Sequence, residues 1–488
     1  MEVVVLMHEI EYIGGGPPRD RMSLGPVRVW VVLGLIAVAA VVFMQWFSGQ
    51  LFGATMAKAP DAVAQNEDVE GGQYSAFAME SKAIVKLRWV NMSQEERDSI
   101  AEDFKQYIVP LAVSRVERLR LAIVAGELVG KDDAINRLTE LEKELEPASE
   151  LAADVAWVKR LYANGPESLG DDVRESLRDR HGWFGDLALA YGRPVHDPFR
   201  RRAVAGREHI LSTFKNLNRF QVAMFLIGVI ALALMAKNYA ALQAQGQFDE
   251  SVPDEHLQAF VLFAAGFVVI LGLSLLPFGL NAEGSIGASV ASSLIIWTLL
   301  LVPLWPLIRG VRWSEVSRTA GLHTGGSLPR EVIIGAGAFL AWMPITIGIS
   351  KALAAFQSFF GSSSFENSPS GHPLFQSPPS DSGLLVFLGV LSSVVWAPIV
   401  EETVFRGFLY GWVRERLGYV LAIVISSITF GIVHPYSPLG MLEVGAAGVM
   451  YAVLREWRGS LIAPMVAHAL HNGMIEGTSF AIAKAIGG

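Results

Sequence analysis

The sequence predicts an all-α fold, a polytopic bundle of about nine transmembrane helices with a large helical insertion outside the membrane. Of its 488 residues, 52% are hydrophobic and only 18% are charged, whereas soluble globular proteins carry about 25% charged residues. The charged residues concentrate between positions 49 and 218. Apolar runs recur on both sides of that stretch, and a membrane-spanning helix needs about 20 such residues.

Composition also excludes several classes of protein. The net charge is −8 and no basic block is present, so we expect no nucleic-acid partner. The chain contains no cysteine, which excludes disulfides, thiol catalysis, iron–sulfur clusters and cysteine-rich zinc sites.

The first apolar run follows an N-terminal tail, residues 1–28. It extends from Val29 to Phe47, follows an arginine at Arg28 and has a tryptophan near its end. No small-residue cleavage motif comes after it, so we interpret residues 29–48 as an uncleaved first transmembrane anchor rather than a signal peptide.

Residues 49–218 form the predicted extramembrane domain. Residues 54–75 have the composition of a linker, and Ser93-Gln94-Glu95-Glu96 is a capping box. The three histidines His181, His196 and His209 lack metal-ligand spacing, so the domain is expected to contact a protein partner or substrate rather than to catalyse. Five further helical runs are predicted, at Leu111–Leu128, Asp132–Leu145, Glu150–Tyr162, Asp171–Arg180 and Trp183–Tyr191.

The remaining chain divides into three transmembrane helices (219–310), a basic loop (311–330) and a C-terminal core (331–488). Arginines crowd every second loop between the apolar runs, which is the positive-inside pattern. It predicts a multi-pass protein of a bacterial-type cell membrane, with a cytoplasmic N-terminus and with the insertion and the C-terminus outside. Residues 351–382 are a flexible connection or a lid. The predicted spans are Phe220–Ala236, Ala259–Phe278, Ile286–Ile308, Val332–Ser350, Leu384–Val400, Val420–Val433, Met441–Leu454 and Leu461–Ala483.

Three fragments place ionisable groups inside the last apolar runs, where such groups are costly and usually functional. In the first, Glu402 and Arg406 are four residues apart and share a helix face, so they can form an ion pair. Glu401 is rotated by about 100° and faces a different neighbour. The second fragment ends at His434, just before Pro435.

The third fragment contains His468 and Asn472, which also share a helix face. Taken singly, each group is explained equally well as a hydrogen bond between helices. Taken together, the three fragments predict one shared site, because every buried polar group needs a partner.

Hydrolysis of a peptide bond gives this set a common task, in either of two arrangements. In one, Glu401 and His434 deprotonate a water, while His468 and Asn472 donate to the oxyanion. In the other, Glu401, His434 and His468 bind a divalent metal such as zinc and leave the fourth position to water. The residue types leave metal-bound and metal-free chemistry open, and no H-E-x-x-H motif is present.

The motifs Glu-Glu-x-x-x-Arg (401–406), Phe-x-x-x-His (430–434) and His-x-x-x-Asn (468–472), in this order, resemble the CPBP family. This family comprises CAAX-type prenyl endopeptidases and bacteriocin-processing or immunity proteins, and is also called the ABI family. The resemblance covers roughly residues 384–480. It implies an intramembrane metalloendopeptidase with a membrane cavity open to the cytosol, acting on a membrane-associated, in some cases prenylated, protein or peptide.

The resemblance further implies roles for six residues. Glu401 and His434 would activate water, and His468 and Asn472 would stabilise the oxyanion. Glu402 and Arg406 would organise the site. Glu443 and Glu476 are acids that the family pattern does not lead one to expect, and bundle-facing hydrogen bonds are the simpler interpretation of them.

Two other functions stay open at this point. A transporter or channel would use the same glutamates and histidines as a proton relay, although no internal repeat supports it. A non-catalytic membrane scaffold would bind partners through residues 49–218.

Overall fold

The structure, a computed structural model, contains only helices as regular secondary structure in the part of the chain that it describes. This confirms the all-α prediction. The described residues are 25–58, 76–88, 104–112, 114–194, 196–238, 251–274, 290, 294–360, 383–434, 436 and 438–487. The residues before 25, most of the predicted linker, the capping box at 93–96 and residues 361–382 of the predicted lid lie outside them.

The chain forms two compact units. The membrane unit comprises Met1–Leu51, Phe220–His372 and Ser382–Glu476. The extramembrane unit comprises Phe52–Arg219, Pro373–Asp381 and Gly477–Gly488. The six-part division made from the sequence stays a prediction.

Helices in the first part of the chain follow the predicted runs closely. The first apolar run lies in α1 (Gly25–Lys58). The next helices are α2 (Ala76–Arg88), α3 (Arg115–Leu128), α4 (Lys131–Glu142), α5 (Glu150–Asn164), α6 (Asp171–His181), α7 (Trp183–Leu189), α8 (Pro198–Ala203) and α9 (Arg207–Lys237).

Local signals explain these boundaries. Ser114 caps α3 in a reciprocal capping box with Glu117. Ser149 and Asp197 cap α5 and α8 through their side-chain oxygens. The core of the extramembrane unit is one apolar cluster that includes Phe77, Phe104, Leu119, Leu138, Val158, Leu161, Phe184 and Leu187.

The later helices cover the described parts of the predicted spans but are broken more often than the pattern indicated. The predicted span 286–308 is interrupted by a 3₁₀ segment, Thr298–Leu304, that contains Pro303, and it ends in a short α-helix. The helices are α10 (Glu255–Ser274), α11 (Trp305–Ile308), α12 (Trp313–Ala320), α13 (Leu328–Phe360), α14 (Gly383–Leu391), α15 (Ala397–Glu401), α16 (Tyr410–Ile432), α17 (Pro438–Arg458) and α18 (Ile462–Gly487).

Five helical stretches of the described chain are long and apolar enough to cross a membrane. A sixth is added if Leu294–Ile308 and Trp313–Ala320, bent by 117°, form one broken span. Helices α17 and α18 are not among them. The chain is therefore an integral membrane protein, and the count of about nine spans stays a prediction.

Two π-helical segments flank α15 and shape the region of interest. They are Ser392–Trp396 and Glu402–Leu409. Pro398 lies between them and has no backbone N–H to donate to the preceding turn. π-helical turns within α-helices are frequent at functional sites.

Glycines allow α16 and α17 to cross closely. Gly418 has φ 82° and kinks α16, a conformation that other residues rarely adopt. A Cβ atom on Gly431 would lie 2.5 Å from the carbonyl oxygen of Met441. The core of the membrane unit contains Phe260, Val400, Phe405, Phe430, Ala447 and Tyr451.

Candidate active site

The structure gathers the predicted site residues within the membrane unit. They come from α15, from the π-helical segment after it, from the turn that follows α16, and from α18. The six side chains are Glu401, Glu402, Arg406, His434, His468 and Asn472.

A buried ion pair anchors one side of the site. Arg406 Nη1 donates to Glu402 Oε1 at 3.2 Å, and both side chains are fully buried. Arg406 Nη2 donates to the carbonyl oxygen of Gly448 at 3.1 Å, and the guanidinium lies 4.1 Å from the centre of the Phe430 ring. Removing one partner of such a pair leaves an uncompensated buried charge, so these contacts fix Glu402 in place.

His468 binds to this anchor. Its Nδ1 lies 2.9 Å from Glu402 Oε1, and since a carboxylate only accepts, Nδ1 carries the proton. Tyr451 stacks on the imidazole with ring centres 4.8 Å apart. The ring is thereby oriented with Nε2 toward Glu401 Oε2, at 3.9 Å.

His434 approaches Glu401 from another direction. Its Nδ1 lies 2.6 Å from the carbonyl oxygen of Phe430, so Nδ1 donates, and in a neutral ring Nε2 is the acceptor. That Nε2 lies 4.0 Å from Glu401 Oε2. The ring of Phe430 packs edge-on against the imidazole, with centres 4.7 Å apart.

The imidazoles of His434 and His468 both approach the carboxylate of Glu401. Its buried Oε2 accepts no hydrogen bond from any other group in the described part of the chain. A separation of 3.9–4.0 Å is too long for a direct hydrogen bond but fits a bridging water that bonds to both sides. The arrangement can therefore hold one water between a carboxylate and an imidazole nitrogen.

A cavity of about 110 Å³ opens beside this gap. Glu401 and His434 are the ionisable residues in its wall. Its other lining residues are apolar: Val41, Phe260, Phe263, Ala264, Phe267, Ile296, Trp396, Phe405 and Val433. Such walls exclude water and strengthen electrostatic interactions at the polar end.

Asn472 lies on α18, one turn beyond His468. Its Nδ2 donates to the carbonyl oxygen of Ser393 at 2.8 Å. An amide nitrogen has two N–H groups, so this bond fixes the side chain and leaves the second N–H for another acceptor. The predicted oxyanion role depends on that second N–H.

The additional polar residues near the motifs have partners of their own. Ser350 donates to Glu443 at 2.8 Å, and Glu476 bonds to the side chain of Ser393. His471 Nδ1 lies 3.1 Å from the hydroxyl of Tyr451. Glu476 is buried, as the interpretation of a bundle-facing hydrogen bond expects, whereas Glu443 and Ser350 are exposed and their bond lies at the surface.

The predicted metal ligands have the right chemistry but not the right spacing. Two ligands of one tetrahedral zinc ion lie roughly 3.3 Å apart, whereas the nitrogens of His434 and His468 lie 4.0 and 3.9 Å from Glu401 Oε2. Within the described residues, no group of three or more His, Asp or Glu side chains is arranged to hold a metal ion.

Two residues that complete the site were not predicted from the sequence. Tyr451 stacks on His468, and the absence of a side chain at Gly448 leaves room for Arg406, whose Nη2 would lie 2.9 Å from a Cβ there. For Gly448 the only sequence signal is that a small residue lies in an apolar helix, and this indicates close helix packing rather than a functional site.

The fold and this set of side chains define a class, the helical membrane proteins with a buried Glu/His site formed by their C-terminal helices. Residues 383–474 match the family described as Type II CAAX prenyl endopeptidase Rce1-like. This C-terminal segment is therefore similar to that family, which confirms the resemblance to CPBP proteins.

One curated relative supports the same assignment. The protein named "Putative membrane peptidase YdiL", from Bacillus subtilis strain 168, is 34% identical over 86 residues. These residues are 18% of this chain and 34% of the relative, so the chain spans about a third of the length of that protein. No solved structure matches the chain.

Proposed function

We propose that this protein is an intramembrane endopeptidase of the CAAX type. The observation that carries the proposal is the position of Glu401 Oε2, which lies 4.0 and 3.9 Å from the Nε2 atoms of His434 and His468 beside a buried apolar cavity. The family of residues 383–474 and the name of the Bacillus relative support it.

Glu401 and His434 activate the water in this proposal. A water between Glu401 Oε2 and His434 Nε2 donates a hydrogen bond to each and directs a lone pair at the scissile carbonyl carbon. As the C–O bond forms, Glu401 takes the proton. General-base catalysis of this kind contributes about 10²–10⁴-fold to the rate.

His468 and Asn472 stabilise the charge that develops on the carbonyl oxygen. With Nδ1 held by Glu402, a protonated His468 presents Nε2–H to the oxyanion, and the second N–H of Asn472 adds a donor. Collapse of the intermediate breaks the C–N bond, and Glu401 returns its proton to the leaving amine. Glu402 and Arg406 hold His468 but do not react.

The substrate is a membrane-associated protein or peptide, because the cavity wall is apolar apart from Glu401 and His434. Both prenylated and unprenylated segments fit this description. The orientation with a cytoplasmic N-terminus, the bacterial-type membrane and a protein partner for residues 49–218 belong to the same proposal.

Zinc bound by Glu401, His434 and His468 is the second form of the proposal. The donor types suit zinc, and the side chains would have to move closer than 3.9–4.0 Å to hold the ion together. Treatment with a chelator separates the two forms. Loss of cleavage that added zinc restores supports the metal, and unchanged cleavage supports the metal-free site.

The experiment compares Glu401→Gln and His434→Ala with wild type in proteoliposomes. A farnesylated CAAX peptide and an unprenylated single-span peptide serve as substrates. We expect a fall in the cleavage rate of about 10²–10⁴-fold in both variants. Glu443→Gln is the matched control, because Glu443 accepts from Ser350 outside the site, and it should cleave as wild type does.

Cleavage at the wild-type rate by Glu401→Gln would overturn the proposal. If wild type cleaves neither peptide but moves protons across the vesicle membrane in a manner that depends on Glu401, the transporter hypothesis replaces it. If it does neither, a membrane scaffold is left.

A further inference from the structure

We infer that the N-terminal anchor α1 forms part of the wall of the catalytic cavity. In this inference Gln45 positions the turn that carries His434, and Val41 limits the size of the substrate side chains that the cavity accepts. This rests on the proposed endopeptidase function. It goes beyond the family assignment, because that match begins at residue 383 and α1 lies far outside it.

The first contact joins α1 to the residue next to His434. The side-chain amide of Gln45 donates to the carbonyl oxygen of Val433. Val433 directly follows the end of α16 at Ile432, and the last carbonyls of a helix have no partner within the helix. Gln45 satisfies one of these carbonyls and thereby fixes the backbone that presents His434.

The second contact lies one turn earlier on the same face of α1. Val41 is fully buried and lines the cavity together with Glu401 and His434. Residues four apart share a helix face. The same face of α1 therefore lines the cavity with Val41 and contacts the Val433 carbonyl with Gln45.

Close packing along α1 keeps that face in place. A Cβ atom on Gly34 would lie 3.1 Å from the Val261 side chain of α10. Trp30, Val31 and Val38 also pack against the core of the membrane unit. The opposite face carries exposed side chains such as Leu35 and Ile36, as expected for contact with lipid.

Two roles follow from this geometry. Gln45 acts on the reaction through His434 and is a positioning residue. Val41 determines the size of the cavity: a larger side chain there takes up part of about 110 Å³ and selects against bulky substrate residues.

Kinetics in proteoliposomes test the two roles. Gln45→Leu should lower kcat about tenfold with KM unchanged and should shift the pH profile of kcat, because His434 is less firmly held. Val41→Phe should lower kcat/KM about tenfold more for peptides with Phe beside the scissile bond than for peptides with Ala. Ile36→Ala, on the exposed face, should match wild type.

A crosslinking experiment tests the placement of α1 without relying on activity. Because the chain contains no cysteine, a Val41→Cys, Val433→Cys pair can be joined by a short bis-thiosulfonate reagent. The link is detected after cleavage at a protease site inserted in residues 59–75. The pair Ile36→Cys, Val433→Cys is the control and should not crosslink.

The outcomes separate this inference from the proposed function. Absence of the Val41–Val433 crosslink overturns the inference, and so does wild-type kinetics in both Gln45→Leu and Val41→Phe. If wild type cleaves no peptide, the proposed function fails instead, and crosslinking still decides whether α1 forms the cavity wall.

Discussion

Three carboxylates in the described part of the chain have two kinds of surroundings. In the extramembrane unit, Glu127 accepts from Arg200 at 2.7 Å with both side chains buried, and in the membrane unit Glu331 binds Arg458 through two hydrogen bonds of 2.6 and 3.0 Å. Glu401 differs, because its nearest basic groups are two imidazoles at 3.9 and 4.0 Å.

This difference indicates which carboxylate can act as a general base. An arginine bonded to a carboxylate opposes protonation of that carboxylate, because a neighbouring cation favours ionisation. A carboxylate paired in this way is therefore a poor general base. Glu401 has two imidazoles as neighbours instead, at distances too long for a direct hydrogen bond, so in the proposed mechanism its Oε2 is available to a bridging water. The arginine pairs are structural by the same argument.

The largest expected effect comes from breaking the arginine pair nearest to the site. Arg406→Met leaves Glu402 charged and buried, so we expect the free energy of unfolding to fall by about 3–5 kcal/mol. Cleavage should fall by at least about 100-fold, since His468 loses its oriented partner. Thermal unfolding in detergent and peptide cleavage measure the two effects.

A double variant sharpens this prediction. Glu402→Gln with Arg406→Met removes both charges, so most of the stability should return, whereas cleavage should stay low because His468 is no longer bonded to a carboxylate. Recovery of cleavage in the double variant would show that the pair matters only for folding.

The second prediction concerns the matching pair in the extramembrane unit. Burial raises the pKa of Glu127, and Arg200 opposes that rise. In the Arg200→Met variant, Glu127 keeps its proton to a higher pH in the folded state than in the unfolded state, where it releases the proton near the ordinary pKa of about 4.3. Stability is thus lost as pH rises, and we expect a loss of about 3 kcal/mol at pH 8 and a smaller one at pH 5.

Unfolding curves of variant and wild type at both pH values measure this difference. Lys159→Met is the control, because its pair with Glu142 is partly exposed at 2.7 Å and is worth less than about 1 kcal/mol. An equal loss at pH 5 and pH 8 for Arg200→Met would contradict the assignment of Glu127 as the group left uncompensated.

The sequence predicted local features of the site well. The four-residue spacing of Glu402 and Arg406 indicated an ion pair, and the pair forms even though the segment is π-helical. The helices of the extramembrane unit begin and end within a few residues of the predicted runs. These features depend on neighbours in the chain, which a periodic pattern records.

Contacts between distant segments could not be predicted in this way. Gln45 and Val433 are 388 residues apart, and the bond from Asn472 to the Ser393 carbonyl depends on how two helices approach one another. Neither leaves a periodic signal. The predicted roles of the six site residues likewise stay predictions, because the chemistry requires measurement.

The smallest expected effect concerns a buried cation in the extramembrane unit. Burial, together with Lys86 and Arg120, lowers the pKa of Lys82 to about 8. Above that pH the folded state has released a proton that the unfolded state keeps until about pH 10.4. The stability of wild type relative to Lys82→Met should therefore rise between pH 8 and 10, by at most about 1.4 kcal/mol per pH unit. Thermal unfolding across that range measures it, with the exposed Lys143→Met as control, and a difference that stays constant with pH would mean that Lys82 is charged throughout. A buried lysine that stays charged would require a partner of opposite charge, as the carboxylates that bind arginine have.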